Sequence, residues 1–464
     1  MRTLLFRTLI LLAVIGLIAA PVLFSANADI QRADSALAES RPLDAAADYE
    51  HAARLLFWRT DLMERAGRAA FAGADMAESA RLLGQAKHLS VEGWSELGSA
   101  HYQLGQFVES EQALRRGLEI HGTDKSLYRG LALALNAQGD LEAETAALGQ
   151  YAALDDTDAA AQHRLGLLLS IFDPDNALPA LMNSAKLDEA YDPAVQTMRS
   201  ALNLASLQED EASRLVVTGR GLGLVSEWLL AREVFQRAVH ADAGNAEAWA
   251  WLGEAKQHLG QDGSGEIQQA EALDPFSATV RALSGLYWKR KDEPQKALAQ
   301  FQWAAAIEPE NPAFQAALGD AYVFAGDLPP ALAAYQRATE LAPSDVTYWR
   351  MLALFSAQYS FRVEDVGVPA AQQVLALSPD DAASYDLLGW TYLAADITGL
   401  AEGNLLAALR LDPDYAPAHL HLGMTYIEMN RMESARVHLL QAQSLDADGV
   451  EGQQAAQLLA LYFP

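Results

Sequence analysis

The chain has 464 residues, 51% of them hydrophobic and 20% charged, so it can bury a large core and its composition argues against long disordered stretches. The balance of 61 acidic and 33 basic residues leaves a net charge of −28, which repels phosphate backbones and argues against nucleic-acid binding. The absence of cysteine excludes disulfides, thiolate metal sites and thiol catalysis.

Residues 1–28 are predicted to be an export signal or a membrane anchor. Arg2 and Arg7 form a positively charged start, and residues 8–24 carry no charge. Whether or not the segment is removed, this charge distribution leaves its start in the cytoplasm and sends the rest of the chain out of it. We therefore expect a protein that is exported across the cytoplasmic membrane.

The sequence leaves open whether this segment is cleaved. As a secretory signal, the apolar run 9–20 would end where Pro21 breaks the helix, and cleavage would follow Ala28. As an uncleaved anchor, residues 4–24 would span the membrane, since a helix needs about 20 residues to cross the hydrocarbon. The first alternative predicts a secreted or periplasmic protein, and the second an anchored one.

Beyond this segment, small residues recur at intervals near 34. The clearest block, residues 312–345, carries Leu318-Gly319, Tyr322, Ala331, Tyr335, Ala338 and Pro343. Counting outward from Gly319, every corresponding position is Gly or Ala: Ala33, Gly67, Gly98, Ala132, Gly166, Gly219, Gly253, Gly285, Gly319, Ala353, Gly389 and Gly423. Such a period is typical of a repeat architecture.

This pattern resembles the 34-residue tetratricopeptide repeat (TPR) family. The resemblance implies an all-α fold: a right-handed α-solenoid of about twelve TPR-like helix pairs, with an N-terminal hydrophobic helix and a C-terminal capping helix. The recurring small residue would let the two helices of a pair cross closely. Its bulky partners would be Tyr49, Phe235, Phe301, Tyr335, Leu405 and Leu439, and a second close contact would involve Ala52, Ala86, Ala185, Ala238, Ala304, Ala338, Ala408 and Ala442.

Irregular steps divide the predicted array. Residues 29–190 would hold units 1–5 and residues 212–449 units 6–12, because the step between Gly166 and Gly219 is 53 residues, or 34 plus 19. Residues 191–211 would then add an inserted helix or joint, and residues 450–464 a capping helix. The second unit is about three residues short, the seventh lacks two, and the tenth has two extra residues near 360–367.

No motif of catalysis, metal binding or cofactor binding is found in the sequence. His419 and His421 are two residues apart on a predicted helix and point in different directions, so they would not chelate one ion. His419 occupies the fourth position of its unit, where the family often has Trp, which favours a structural role. We expect no enzymatic activity, no cofactor and no small-molecule substrate.

The resemblance implies that the first helix of each unit lines a concave groove. The candidate partner-binding side chains are Asp320, Val323, Phe324, Arg350, Trp390, Leu393, Met424 and Ile427. An amphipathic helix or extended segment with apolar anchors and some basic residues would suit such a surface. The alternative is that these side chains pack within the array itself.

The sequence thus predicts an extracytoplasmic scaffold that binds a partner protein or peptide, held at the membrane if residues 1–28 are retained. The alternative function is a non-catalytic accessory subunit of a membrane-associated enzyme or an envelope-assembly or maturation complex.

Overall fold

The computed structural model describes residues 2–463, with side chains from Ala20 to Phe463. Over this range the chain is helical and has no β-strand. Short 3₁₀ turns at Pro174–Asn176 and Glu189–Tyr191 and a π-helix at Val363–Gly367 accompany the α-helices. These are α1 (Arg2–Ala38), α2 (Pro42–Leu55), α3 (Asp61–Ala72), α4 (Met76–Gln85), α5 (Val91–Gln103), α6 (Phe107–His121), α7 (Lys125–Gln138), α8 (Leu141–Leu154), α9 (Ala159–Phe172), α10 (Ala177–Leu187), α11 (Asp192–Ser206), α12 (Glu211–Leu224), α13 (Trp228–Ala241), α14 (Ala246–His258), α15 (Ser264–Leu273), α16 (Ala278–Arg290), α17 (Pro294–Ile307), α18 (Pro312–Phe324), α19 (Leu328–Leu341), α20 (Val346–Gln358), α21 (Val368–Leu377), α22 (Ala382–Ala394), α23 (Thr398–Leu411), α24 (Ala416–Glu428), α25 (Met432–Leu445) and α26 (Val450–Tyr462).

The recurring small residues all lie on the first helix of a consecutive helix pair. The first helices are α1, α3, α5, α7, α9, α12, α14, α16, α18, α20, α22 and α24, and each is followed by its partner. Only α11 and α26 fall outside this pairing within the described range. The all-α prediction is confirmed, and the helix pairs follow the period that the sequence shows.

Close helix crossing explains why these positions are small. A Cβ atom added to Gly389 would lie 2.6 Å from Cγ of Leu405, and one added to Gly319 would lie 2.8 Å from the ring of Tyr335. Both distances are below van der Waals contact, and both partners are buried. The same obstruction by a side chain of the second helix recurs at Gly67, Gly98, Gly166, Gly285 and Gly423.

Two of the alanines expected at the second close contact are not in the core. Ala185 is half-buried, and its neighbour Ser184 is fully buried instead. The reason is a difference in spacing. Leu181, which packs on Gly166, lies 15 residues after it, whereas Leu405 lies 16 residues after Gly389. The contact positions on α10 are therefore shifted by one residue. Ala86 is half-buried because α4 ends at the residue before it.

The irregular units have distinct structural solutions. In the second unit, α4 has 10 residues, whereas the second helices α17, α19, α23 and α25 each have 14. In the seventh unit, α15 also has 10 residues, but it begins late, 11 residues after Gly253, whereas α19 begins 9 residues after Gly319. The extra residues of the tenth unit form the π-helix Val363–Gly367, the usual signature of an insertion within a helix.

The chain divides into two compact units, Met1–Asp210 with Val217–Leu230, and Glu211–Val216 with Ala231–Pro464. The first contains a core cluster in which Ala33, Tyr49 and Leu62 are buried. The second contains a larger cluster that includes Leu352, Leu387 and Leu405. Helix α11 lies in the range 191–211 that the sequence assigned to an insert, and the predicted domain boundaries stay predictions.

The N-terminal helix α1 runs from Arg2 to Ala38 and has Pro21 inside it. The expected helix break at Pro21 is therefore wrong, because a proline removes one backbone N–H and a helix can continue past it. The predicted signal or anchor, residues 1–28, lies mostly outside the residues whose side chains are described. Among the described residues, no helix has the length and apolarity needed to cross a membrane.

Candidate functional site

A depression of about 540 Å³ lies on the second compact unit, where the first helices of three successive pairs, α16, α18 and α20, come together. We call this depression the C-terminal groove. It is lined by Lys289, Asp320, Val323, Phe324, Tyr335, Met351, Leu354, Phe355, Gln358 and Tyr359. Three of the predicted partner-binding residues, Asp320, Val323 and Phe324, are thus brought together.

Asp320 is held in place by a residue of the second helix. The hydroxyl of Tyr335 donates a hydrogen bond to Oδ1 of Asp320 at 2.5 Å. Burial, together with this carboxylate, raises the pKa of Tyr335, so the phenol stays a donor. Its ring packs on Gly319 and lies 5.2 Å from that of Phe355. The carboxylate therefore has a fixed orientation at the edge of the groove.

The remaining lining of the C-terminal groove is mostly apolar. Val323 and Phe324 are half-buried, and the side chain of Leu354 is 37% exposed on α20. Lys289 supplies the second charged group of the lining. A surface of this kind combines apolar contact area with one fixed acceptor and one cation.

Arg350 does not line this depression. Its Nη2 lies 3.1 Å from Oδ2 of Asp381. Asp381 caps α22 by accepting hydrogen bonds from the backbone N–H of Ala383 and the hydroxyl of Ser384. Burial would raise the pKa of Asp381, but these hydrogen bonds and Arg350 outweigh it and lower that pKa. Arg350 thus ties α20 to the start of α22.

Trp390 also has an internal partner. Its ring stacks on that of His421, with centroids 4.8 Å apart and planes at 12°. His421 in turn has Nδ1 2.8 Å from Oδ1 of the buried Asp386. One face of the indole is therefore covered by α24, as the alternative of packing within the array predicts for this residue.

Leu393, Met424 and Ile427 are half-buried and pack against core clusters. The cluster that Met424 and Ile427 join also contains Ala455 of α26, with Leu420 and Leu439. None of the three lines the C-terminal groove. Helix α26 covers apolar surface of the last pair, as the predicted capping helix would.

His419 has a structural role. Its Nε2 donates to the carbonyl of Pro413 at 3.0 Å, six residues earlier. The side-chain N–H of the fourth position makes the same bond in four preceding pairs, from Trp249 to Ala243, Arg281 to Pro275, Gln315 to Pro309 and Trp349 to Pro343. The bond ties each first helix to the turn before it. His419 thus makes the same hydrogen bond that Trp249 and Trp349 make at this position.

Several lining residues were missed in the sequence. With the recurring small residue counted as position 8, Lys289 occupies position 12 and Gln358 position 13 of their units, and the family pattern assigns both positions to the groove. Extending the pattern to α16 and to the end of α20 would have found them. Met351, Phe355 and Tyr359 lie outside that pattern. Their placement depends on how α20 is rotated against α18, which spacing does not specify.

No group of three His, Asp or Glu side chains positioned to share a metal ion occurs among the residues described. The lining of the C-terminal groove contains no His, Ser, Thr or Cys that would serve as a nucleophile or imidazole base.

The described range is therefore an α-helical repeat protein. Two family models, both described as tetratricopeptide repeat, match residues 290–354 and residues 416–448. The first range includes α17 to α19 and the first part of α20, and the second covers α24 and α25. Tetratricopeptide repeats are thus found within these two ranges. No curated protein sequence matches it significantly.

Solved structures of helical repeat proteins are similar to this chain. Yeast Tom70 has 16% identity over 94% of this chain and 95% of its own, with a TM-score of 0.39. YrrB, described as a TPR protein with an unusual peptide-binding site, has 18% identity over 41% of this chain and 97% of its own, with a TM-score of 0.32. MamA from Desulfovibrio magneticus RS-1 has 23% identity over 36% and 94%, with a TM-score of 0.31.

Proposed function

We propose that this protein is an extracytoplasmic interaction scaffold that binds a partner protein or peptide in the C-terminal groove. The observation that carries the proposal is the convergence of three first helices on one depression, with Val323, Phe324 and Leu354 beside the fixed carboxylate of Asp320. Half-buried apolar side chains keep a defined position and still offer surface to a partner.

The chemistry of the groove favours a segment with apolar anchors and at least one basic residue. A cation near Asp320 would form a hydrogen-bonded ion pair with an oriented carboxylate, which saves ordering entropy on binding. The net charge of −28 attracts basic segments over longer range. Lys289 lies in the same lining and would form an ion pair with an acidic group elsewhere in the bound segment.

An exposed apolar patch supports a position beside a membrane. Val22, Leu23 and Phe24 of α1 are exposed, the last at 78%, and so are Phe57 at 70% and Trp58 at 56%.

Antiparallel packing of α1 and α2 puts these segments at one level. Side-chain contacts join His51 to Asp29 and Arg32 to Asp48, so residue numbers of facing positions sum to 80. By this register, the end of α2 at Leu55 faces residue 25 of α1, and Phe57 and Trp58 lie in the turn that follows α2. Exposed aromatic side chains such as Phe24, at the end of the predicted span 4–24, suit a membrane–water interface.

The groove can be tested by site-specific photo-crosslinking in native membranes. A photoreactive amino acid at position 354 should capture a defined partner, and the same residue at position 400 should not, although Leu400 is 51% exposed on the second helix α23. Phe324→Ala should abolish capture at position 354 while helicity stays unchanged. Identical products from positions 354 and 400 would overturn the assignment of the groove. A captured enzyme would favour the accessory-subunit alternative.

The location can be tested independently, because the chain has no cysteine. A single Leu400→Cys variant should react with a membrane-impermeant maleimide in intact spheroplasts. Labelling that requires lysis would contradict export and would leave the groove proposal standing.

A further inference from the structure

The turn between α2 and α3, residues 56–60, presents two aromatic side chains to solvent. We call it the aromatic turn. Phe57 is 70% exposed and Trp58 56%, and their rings contact edge to face with centroids 5.1 Å apart. Each ring carries a large apolar surface, so leaving both in water is unfavourable. A partner that covers them would gain from their burial.

The aromatic turn has an ordered support. Leu56 is buried and belongs to the core cluster that also contains Tyr49 and Leu62. The backbone N–H of Arg59 donates to the carbonyl of Leu56 at 2.7 Å, and the Arg59 guanidinium donates two hydrogen bonds to the carboxylate of Asp61 at the start of α3. The two exposed rings therefore follow a residue that is fixed in the core.

Other turns between consecutive helix pairs have a different composition. Those at 155–158, 242–245, 308–311, 342–345 and 378–381 contain no aromatic residue, and the turn at 274–277 contains one, Phe276. Asp, Asn, Glu and Pro predominate in them, and these residues suit turns and helix starts in water. The repeat itself does not require the aromatic pair, so its cause lies in what the first turn contacts.

The aromatic turn lies beside the predicted membrane span. The end of α2 faces residue 25 of α1, and Phe24, one residue earlier, is 78% exposed. Residues 4–24 are the predicted span. Exposed aromatic side chains thus occur on two neighbouring chain segments, at the level where that span would leave the hydrocarbon.

The charge distribution favours a lipid surface as the partner of the aromatic turn. Residues 1–90 contain 10 acidic and 10 basic residues, whereas residues 91–464 contain 51 acidic and 23 basic residues. Anionic headgroups repel a negatively charged surface, so the neutral first part of the chain approaches them without this cost.

A second copy of the chain fits the aromatic turn less well. The exposed apolar side chains at this level are those of residues 22–24, 57 and 58. A stable protein interface uses roughly 20–30 residues of each partner. A few aromatic and aliphatic side chains are sufficient for a contact with lipid, which has no shape of its own to match.

We propose that the aromatic turn inserts into the membrane–water interface, where lipid headgroups and the adjoining acyl chains cover Phe57 and Trp58. The indole of Trp58 combines an apolar ring with a polar N–H, and side chains of this kind are enriched at that depth. The first helix pair then contacts lipid twice, through the span 4–24 and through this turn. The inference rests on the proposed position beside a membrane and does not involve the C-terminal groove.

The depth of the aromatic turn can be measured by electron paramagnetic resonance, because the chain contains no native cysteine. The full chain carrying Phe57→Cys is labelled with a nitroxide and reconstituted into vesicles of phosphatidylethanolamine and phosphatidylglycerol. Oxygen dissolves in the acyl region, whereas a nickel chelate stays in water. The label at position 57 should be relaxed more by oxygen than by the nickel chelate.

Phe276→Cys is the matched control, since Phe276 is also 70% exposed and lies in the turn between α15 and α16. A label there should remain accessible to the nickel chelate in the same vesicles, and the label at position 57 should lose this accessibility. Equal nickel accessibility at both positions would overturn the inference. Spin–spin broadening between chains labelled at position 57 would do the same, because a second copy would then cover the turn.

Flotation of the vesicles in a density gradient separates this inference from the proposal on which it rests. Chains that do not float with the vesicles would contradict the membrane position and the inserted turn together. Floating chains whose label at position 57 remains in water would contradict the inserted turn alone.

Discussion

Adding a methyl group at two glycines of the same helix pair should change local stability in opposite directions. A Cβ atom at Gly389 would meet Leu405 at 2.6 Å and the backbone oxygen of Ala401 at 3.3 Å. Leu405 is fully buried among core side chains. Overpacking of this kind costs about 1–3 kcal/mol, and alanine in a helix regains about 1 kcal/mol over glycine. Gly389→Ala should therefore destabilise the pair by about 1 kcal/mol.

Gly403 is the matched control. It lies inside α23, and nothing within 4 Å would meet a Cβ atom there. Gly403→Ala should stabilise the helix by about 1 kcal/mol, since only the propensity gain remains. The difference between the two variants, about 1–3 kcal/mol, measures the crossing contact alone.

Hydrogen–deuterium exchange of α22 and α23 amides is the suitable assay, because repeat arrays open locally and a single unfolding free energy is poorly defined for them. One kcal/mol corresponds to about a fivefold change in exchange rate. Exchange should speed up in Gly389→Ala and slow down in Gly403→Ala. Slower exchange in both variants would refute the argument that close crossing determines the small residues.

Three further perturbations test contacts elsewhere in the molecule. Arg290→Met should lower the free energy of unfolding by about 3 kcal/mol, because it leaves the buried carboxylate of Glu254 without its guanidinium partner. Adding Glu254→Gln to this variant should restore part of the lost urea midpoint. Trp349→Phe should speed amide exchange in α20 by about fivefold through loss of one hydrogen bond, and Trp94→Phe should have less effect on α5 because its indole N–H has no partner in the described range. Burial, and then a neighbouring histidine, lower the pKa of His438, so the unfolded chain takes up this proton first as the pH falls. The stabilisation from neutral His438 is thus present above its unfolded pKa of about 6.5, and it is lost as the pH falls through the lower folded pKa. His438→Gln should flatten the dependence of Tm on pH in this window. An unchanged slope would contradict this assignment.

The candidate site was predictable only in part. Asp320, Val323 and Phe324 lie on one helix, where the repeat register alone specifies a common face, and the structure brings them together. Arg350, Trp390, Leu393, Met424 and Ile427 follow the same register but do not line the groove. Arg350 pairs with Asp381, and Trp390 stacks on His421. Each partner lies 31 residues further along the chain, in the next helix pair.

The short second unit shows the same division. The second unit is visibly about three residues short in the sequence, which indicates an irregularity but not its form. Shortening of the turn, of α3 or of α4 would each account for it. Only the packed structure shows that α4 loses its last turn.

The sequence by itself determined the helix pairs, because a small residue every 34 positions is a local requirement: two helices joined by a short turn cross at that point, whatever surrounds them. Tertiary structure alone decided which side chains of the repeat face remain open. That depends on the rotation of each helix against the next pair, and a shift of a single position, as in α10, exchanges a buried residue for a half-buried one.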